Sequence, residues 1–360
     1  MTQAGCIYSN KTTIRLNAAR ALPGKTLPDT QTAKTSEQDK KFNGGIHGHT
    51  FVVTINFGSQ ATIDNVLNYP ESPDAISDLQ SQLDHSLLND IIDHPSDVNI
   101  VNYIYDKLNS LDIQSVVLTS AYDRGVYRDR HNLSAWQTYQ FESAHKLPNV
   151  PEDHKCGRMH GHSFFTTLYT PLKTSDESMD TDLLDNAWQP IKEKVNFKCL
   201  NNIEGLENPT SENLAAWIWH RINNSGTTIS RVEVLETPTS GCSYTGNQHT
   251  AWKDFSLDCA LNAGSGMDTL FGHTFHVRVH VACELDALYG WTMDFADIKT
   301  VFQQVGERLD HHNISEELSL SDNRSLADYL VTELRLSGIP MSQLDVQHNP
   351  GQGIVINLQQ

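Results

Sequence analysis

The sequence predicts an α+β protein of three tandem ββααββ units, closing a ring of roughly twelve antiparallel strands with helices outside. Three landmarks recur in one fixed order at a period of roughly 112 residues. The first is a Gly-His strand start: GIHGHTFVVTI (45–55), RMHGHSFFTTL (158–168) and LFGHTFHVRV (270–279). The second is QLDHSLLND (82–90), KVNFKCLNN (194–202) and RLDHHNISE (308–316). The third is a helix start: HPSDVNIVNYIYDKL (94–108), NPTSENLAAWIWHRI (208–222) and SDNRSLADYLVTEL (321–334). The repeats divide the chain at 1–133, 134–249 and 250–360.

Each element follows from local chemistry, most clearly in the middle copy. Residues 138–145 and 162–170 have strand composition. Residues 183–195 read as a first helix. Thr210 or Ser211 caps the second, whose Leu214, Ile218 and Ile222 share one face. Arg231–Thr237 alternates as a strand, and the last strand begins over 241–244. The polar stretch 25–43 reads as a long exposed loop in copy one. A lone four-stranded sheet with helices on one face leaves both edges open. Three linked copies pair those edges and close the ring.

Composition narrows the function classes. The chain has 360 residues and a net charge of -18, which argues against nucleic acid or an anionic membrane as partner. A local cluster of cations can still hold a phosphorylated substrate. No apolar run approaches the roughly 18 residues that span a bilayer. The six cysteines form no CxxC pair, so no disulfide framework is expected. The opening residues lack the apolar stretch of a secretion signal, and a cytoplasmic location is expected.

The middle copy carries the chemistry. His160 and His162 lie two apart at a strand start, so both imidazoles face one side. His145 ends the preceding strand and reaches the same side. Three imidazoles with a fourth position free suit a catalytic Zn2+. The other copies lack the set. Arg20 stands at the His145 place in copy one, and arginine does not shed its proton to bind metal. His47 and His49 remain there, and Asn43 takes the place of Cys156. In copy three, Cys259 and Phe271 replace two histidines and His273 persists.

The segments FESAHKLPNVPEDHKCGRMHGHSF (141–164), GLENPTSENLAAWIW (205–219) and ETPTSGCSY (236–244) closely resemble 6-carboxytetrahydropterin synthase. That enzyme groups with the 6-pyruvoyltetrahydropterin synthase family. The resemblance is strong over 134–246 and weaker in the flanking copies; in copy three, GWTMDFADIK (290–299) matches well. It implies T-fold units, barrels stacked in pairs, and active sites between neighbouring subunits. Two copies of this chain would then form a homodimeric pseudo-hexamer. It also implies zinc at His145, His160 and His162, Cys156 as base, an Asp-His couple for proton transfer, and Glu236 as pterin anchor. Thr119 and His348 stand at the Glu236 place in copies one and three.

Copy two departs from the pattern, with Asn196-Phe197 where the couple belongs. Copies one and three keep it as Asp84-His85 and Asp310-His311. A neighbouring unit is therefore expected to lend the couple, with Asp310-His311 the favoured donor and Asp84-His85 the other. The implied reaction is a lyase step of queuosine-precursor synthesis. It converts 7,8-dihydroneopterin triphosphate to 6-carboxytetrahydropterin, acetaldehyde and triphosphate. Lys146, Lys155 and Arg158 are candidate phosphate contacts, and the zinc cation together with Lys155 is expected to hold Cys156 partly as thiolate. A pyruvoyl-forming or side-chain-cleaving pterin enzyme stays open as an alternative. So does a non-catalytic pterin-binding scaffold with structural zinc.

Overall fold

The computed structural model describes residues 6–22, 45–58, 73–173, 181–262, 270–349 and 351–358. The expected loop at 25–43, with Asn43, lies outside these. The first group of elements is β1 (Cys6–Arg20), β2 (His47–Gly58), α1 (Asp74–Leu83), α2 (Asp97–Lys107), β3 (Ile113–Ala121) and β4 (Arg124–Asp129). The second is β5 (Leu133–His145), β6 (His160–Pro171), α3 (Thr181–Val195), the two-residue β7 (Lys198–Cys199), α4 (Ser211–Asn224), β8 (Arg231–Thr237) and β9 (Ser240–Tyr244). The third is β10 (His249–Asn262), β11 (Leu270–Val281), α5 (Phe295–Gly306), α6 (Ile314–Leu318), α7 (Asn323–Leu336), β12 (Met341–Asn349) and β13 (Gln352–Leu358). The short α6 was not foreseen from the sequence.

Twelve long strands close an antiparallel barrel in the order β4-β3-β2-β1-β13-β12-β11-β10-β9-β8-β6-β5, with β5 returning to β4. β7 adds a parallel fringe on β5 at Ser143 and Ala144. Within each group the inner hairpin is long: β1 and β2 pair from Ser9↔Gly58 to Arg20↔His47. Seams between groups run through β4–β5, β9–β10 and β1–β13. Closure removes every open edge of a four-stranded sheet.

Each group has its own core between helices and sheet. In the third, Leu326, Leu330 and Leu334 of α7 recur at helical spacing and pack on Phe275, Val277 and Val279 of β11. In the second, Leu214, Ile218 and Ile222 of α4 meet Phe141, Phe164 and Val234. The first buries Val98, Val101 and Ile104 against Phe51, Val53 and Ile55. Each fully buried side chain of this size contributes about 2 kcal/mol. Alternation turns the other strand face into the barrel. There Arg278 makes a two-pronged contact with Asp254 at 2.6 and 2.8 Å.

The repeat also fixes one backbone detail. After the first helix of each group the chain returns to a strand through a left-handed residue: His85 (φ 54°), Phe197 (φ 56°) and His311 (φ 61°). The N–H of each donates to a strand carbonyl, on Asn17, Glu142 and Asp258 respectively. The side chain just before it, Asp84, Asn196 or Asp310, in turn accepts from that strand residue's N–H.

Candidate metal centre

The strand register pairs His145 with His160 and Ser143 with His162, so three imidazoles gather at one end of the β5–β6 ladder. Their nearest ligand nitrogens lie within 4.8 Å of one another, a spacing that could hold a metal ion. Nδ1 of His145 donates to the Pro209 carbonyl at 3.0 Å, and Nδ1 of His160 to the Arg158 carbonyl at 2.7 Å. These bonds fix the tautomers and leave both Nε2 lone pairs free. Nε2 of His145 is buried with no hydrogen-bond partner. Burial, joined by the neighbouring His160 and opposed by the Pro209 carbonyl, holds His145 down to about 4. His145 therefore presents a bare lone pair at neutral pH. Phe164 meets His145 and His162 edge-on, with ring centroids at 5.5 Å, and sets their angles. This donor set, oriented by carbonyls and with one nitrogen orphaned in the interior, fits a tetrahedral metal with an open position.

A cavity of about 640 Å³ opens beside these rings. His160, His162, Cys156, Lys155, Arg158 and Glu236 all line it. Burial raises the Glu236 carboxyl, with His162 pulling the other way. Burial and then Glu236 also push the Cys156 thiol up, outweighing Lys155. Lys155 by itself therefore does not hold Cys156 as thiolate. Lys146 is not part of the lining; its backbone is held by Asn201.

The third group forms the opposite wall through Lys253, Trp291, Met293, Asp294 and Phe295. Sequence reasoning assigned none of these a role, although GWTMDFADIK had already drawn notice. Glu212 was also missed. It is buried beneath the cavity, where its Oε1 accepts from the Thr292 N–H at 2.9 Å and the Thr292 hydroxyl at 3.1 Å. Burial lifts its carboxyl to about 7. Gly290 (φ +73°) lets this wall close: a Cβ there would stand 2.6 Å from Nδ2 of Asn213.

The structure does not bring either Asp-His couple into this cavity. Nδ1 of His85 meets Asp84 at 2.8 Å and Nδ1 of His311 meets Asp310 at 3.1 Å, with imidazoles 79% and 75% exposed. Strand hydrogen bonds hold both aspartates below the usual carboxylate range. The neighbouring unit contributes a wall, not the couple expected from it. Both couples nonetheless sit at the same barrel end as the imidazoles, each beside a strand residue equivalent to Glu142.

The equivalent places in the other groups are filled differently. Arg20 pairs with His47 in register and its guanidinium bonds Asp97 at 2.6 Å, both side chains under 10% exposed. It also reaches the Pro95 carbonyl and lies 3.3 Å from Nε2 of His49. In the third group the buried Leu261 takes the His145 place, Cys259 donates to the Leu309 carbonyl as Ser143 does to that of Val195, and His348, pushed down to about 4 by burial, contacts Asn323. The register corrects two assignments. Leu261 pairs with Phe271 as His145 pairs with His160, and Cys259 pairs with His273 as Ser143 pairs with His162, so Leu261 and not Cys259 stands at the His145 place. Leu235 pairs with Phe165 and Thr119 with Val52, so the residue matching Glu236 in copy one is Ser120, not Thr119. His348 keeps its place in copy three.

A profile of the 6-pyruvoyl tetrahydropterin synthase family matches three times, over 12–119, 135–247 and 248–357. The chain belongs to this family. A protein of Synechocystis named 6-carboxy-5,6,7,8-tetrahydropterin synthase is 39% identical over 118 residues, covering 30% of this chain and 90% of that one. A putative enzyme of the same name from Archaeoglobus fulgidus is 32% identical over 98 residues, covering 27% and 81%. The Caenorhabditis elegans 6-pyruvoyl tetrahydropterin synthase structure aligns at 19% identity and a TM-score of 0.29, covering 35% of this chain and all of that one. Among the described residues, no helix is long and apolar enough to cross a membrane.

Proposed function

We propose that this family member is a zinc-dependent lyase acting on 7,8-dihydroneopterin triphosphate. Its products are 6-carboxytetrahydropterin, acetaldehyde and triphosphate, as in queuosine-precursor synthesis, and it works in the cytoplasm. The carrying observation is the orphaned Nε2 of His145, gathered with His160 and His162 at a cavity that also holds Cys156 and Glu236. The names of the relatives favour this product over the pyruvoyl one.

His145, His160 and His162 hold the zinc, which when bound supplies Lewis-acid polarisation of substrate oxygen. Glu236 accepts two hydrogen bonds from the amino and ring N–H edge of the pterin and so fixes the ring. Cys156 takes a proton from the substrate side chain. Its raised thiol ionises as positive charge enters the cavity and as Glu236 is engaged by pterin. Lys155, Arg158 and Lys253 line the cavity and balance the triphosphate in a chain that is otherwise strongly acidic.

The Asp-His couple comes from a second copy of the chain, stacked end to end. Support lies in the rim that such stacking covers. Ile46 and Met159 lie just before β2 and β6, Leu270 takes the equivalent place as the first residue of β11, and all three are exposed, as is Phe197. Four large apolar side chains on one barrel end suit an interface. Asp310-His311 remains the favoured donor and Asp84-His85 the other.

Two measurements test this reading. Purified protein should carry one zinc per chain and turn over 7,8-dihydroneopterin triphosphate to the carboxy product. Product analysis yielding only a pyruvoyl compound would reject the assignment. A chain with His160→Ala and a chain lacking both Asp-His couples should each be inactive. Refolded together they should recover about a quarter of parental activity, since half the dimers are mixed and each has one complete site. The exposure of both couples in a single chain also favours a second reading, a pterin-binding scaffold. That reading predicts zinc and pterin binding without turnover in any mixture.

A further inference from the structure

The loop between β5 and β6 carries Cys156; Asn201 clamps the backbone of Lys146 at its start, and Nδ2 of Asn149 donates to the Leu288 carbonyl of the third group at 2.7 Å. Over 146–159 its only regular structure is one tight turn at Lys155–Gly157, and Pro151, Glu152 and Asp153 are exposed. Within the loop, the Leu147 N–H donates to the Cys156 carbonyl at 2.8 Å. The Cys156 N–H donates to Nδ1 of His154 at 3.2 Å. A backbone N–H can only donate, so Nδ1 is an acceptor and the proton of this imidazole sits on Nε2. That proton points across the boundary between the second and third groups. Nε2 of His154 meets Oδ2 of Asp294 at 3.0 Å, and both side chains are largely buried. The other oxygen, Oδ1, accepts from the Ala296 N–H at 2.8 Å and caps α5. The core contacts of Ile298 and Phe302 anchor that helix.

We propose that Asp294 and His154 are positioning residues for Cys156: the third unit sets the thiol's place through one aspartate–imidazole–backbone chain. This rests on the reading of Cys156 as the base. Both oxygens of Asp294 are used, one on each side of the boundary. The chain therefore explains why the catalytic unit needs the third unit's wall even though the Asp-His couple at 310–311 lies elsewhere. A proton acceptor displaced by about 1 Å loses on the order of a hundredfold in rate.

Asp294→Asn is the decisive variant. An asparagine has one acceptor oxygen. If it caps α5, its amide faces Nε2 of His154 and forces the proton onto Nδ1, against the Cys156 N–H. Helix cap and volume are kept while the chain of bonds is broken. Asp294→Asn and His154→Ala should lower kcat on 7,8-dihydroneopterin triphosphate on the order of ten- to a hundredfold, with KM and zinc content within twofold. His154→Asn, which restores an acceptor for the Cys156 N–H, should recover part of the loss. Peptide-resolved alkylation of metal-loaded protein by iodoacetamide gives a second readout that needs no turnover. The Cys156 rate should change severalfold in Asp294→Asn while the rate at Cys6 stays fixed. If the parent protein has no activity, the lyase reading fails and the alkylation result alone decides the positioning role. Parental kcat in Asp294→Asn, or in an inactive parent an unchanged Cys156 alkylation rate, overturns the proposal.

Discussion

Replacing Arg20 tests whether the first unit keeps the frame of a metal centre. Arg20 and Asp97 form a buried pair at 2.6 Å where the middle unit has His145 and Ser211. The frame is otherwise preserved. Nδ1 of His47 meets the Gly45 carbonyl at 3.1 Å, as Nδ1 of His160 meets that of Arg158. The His47–His49 and His160–His162 ring centroids are both 5.0 Å apart. The Pro95 carbonyl waits where Pro209 receives His145. Arg20→Ala leaves Asp97 buried with only Ser120 as partner, at a cost of about 3–5 kcal/mol. In a chain of 360 residues that is a fall in Tm of about 4–7 °C. Arg20→His should show the same loss in chelator but regain most of it in zinc, with metal content rising from one to two per chain. Calorimetry with and without chelator, together with elemental analysis, reads both effects. Arg20→Ala melting within about 1 kcal/mol of the parent would refute the account of the ion pair. A stoichiometry of one in Arg20→His would refute the equivalence of the two frames.

Glu212→Gln tests the buried carboxyl. The folded chain binds this proton more tightly than the unfolded one, where the value is 4.5. The parent is therefore unpenalised below pH 4.5 and loses stability as pH rises through about 7. The variant lacks that loss, so denaturant titrations should diverge by about 3 kcal/mol in its favour above pH 8 and coincide below pH 4.5. Glu236→Gln exchanges a charged acceptor for a neutral one and should weaken pterin binding by about 2 kcal/mol, read by calorimetric titration. Phe164→Ala opens a void beneath the imidazoles, should cost about 3–5 kcal/mol of stability, and should lower zinc affinity measured by chelator competition.

Much of this was legible in the sequence because the repeat made the chain its own comparison. Three landmarks in fixed order specified three ββααββ groups, and open sheet edges specified that they close. The His145, His160 and His162 set was legible because strand periodicity alone puts residues two apart on one face. The side chains beyond that were not. Thr119 was taken for Ser120 because a one-residue register difference leaves no local mark on a strand.

Other features depended on the tertiary structure because they arise between segments far apart in the chain. Thr292 reaches Glu212 across 80 residues and Asp294 reaches His154 across 140, and neither contact has a sequence period to betray it. Burial and Glu236 push the Cys156 thiol up against Lys155, its sequence neighbour, and both exist only after folding. The sequence by itself determined which residues could bind a metal and how many units would close the ring. Packing alone decided which wall faces the three imidazoles, because solvent exclusion and cross-boundary hydrogen bonds are properties of the closed barrel.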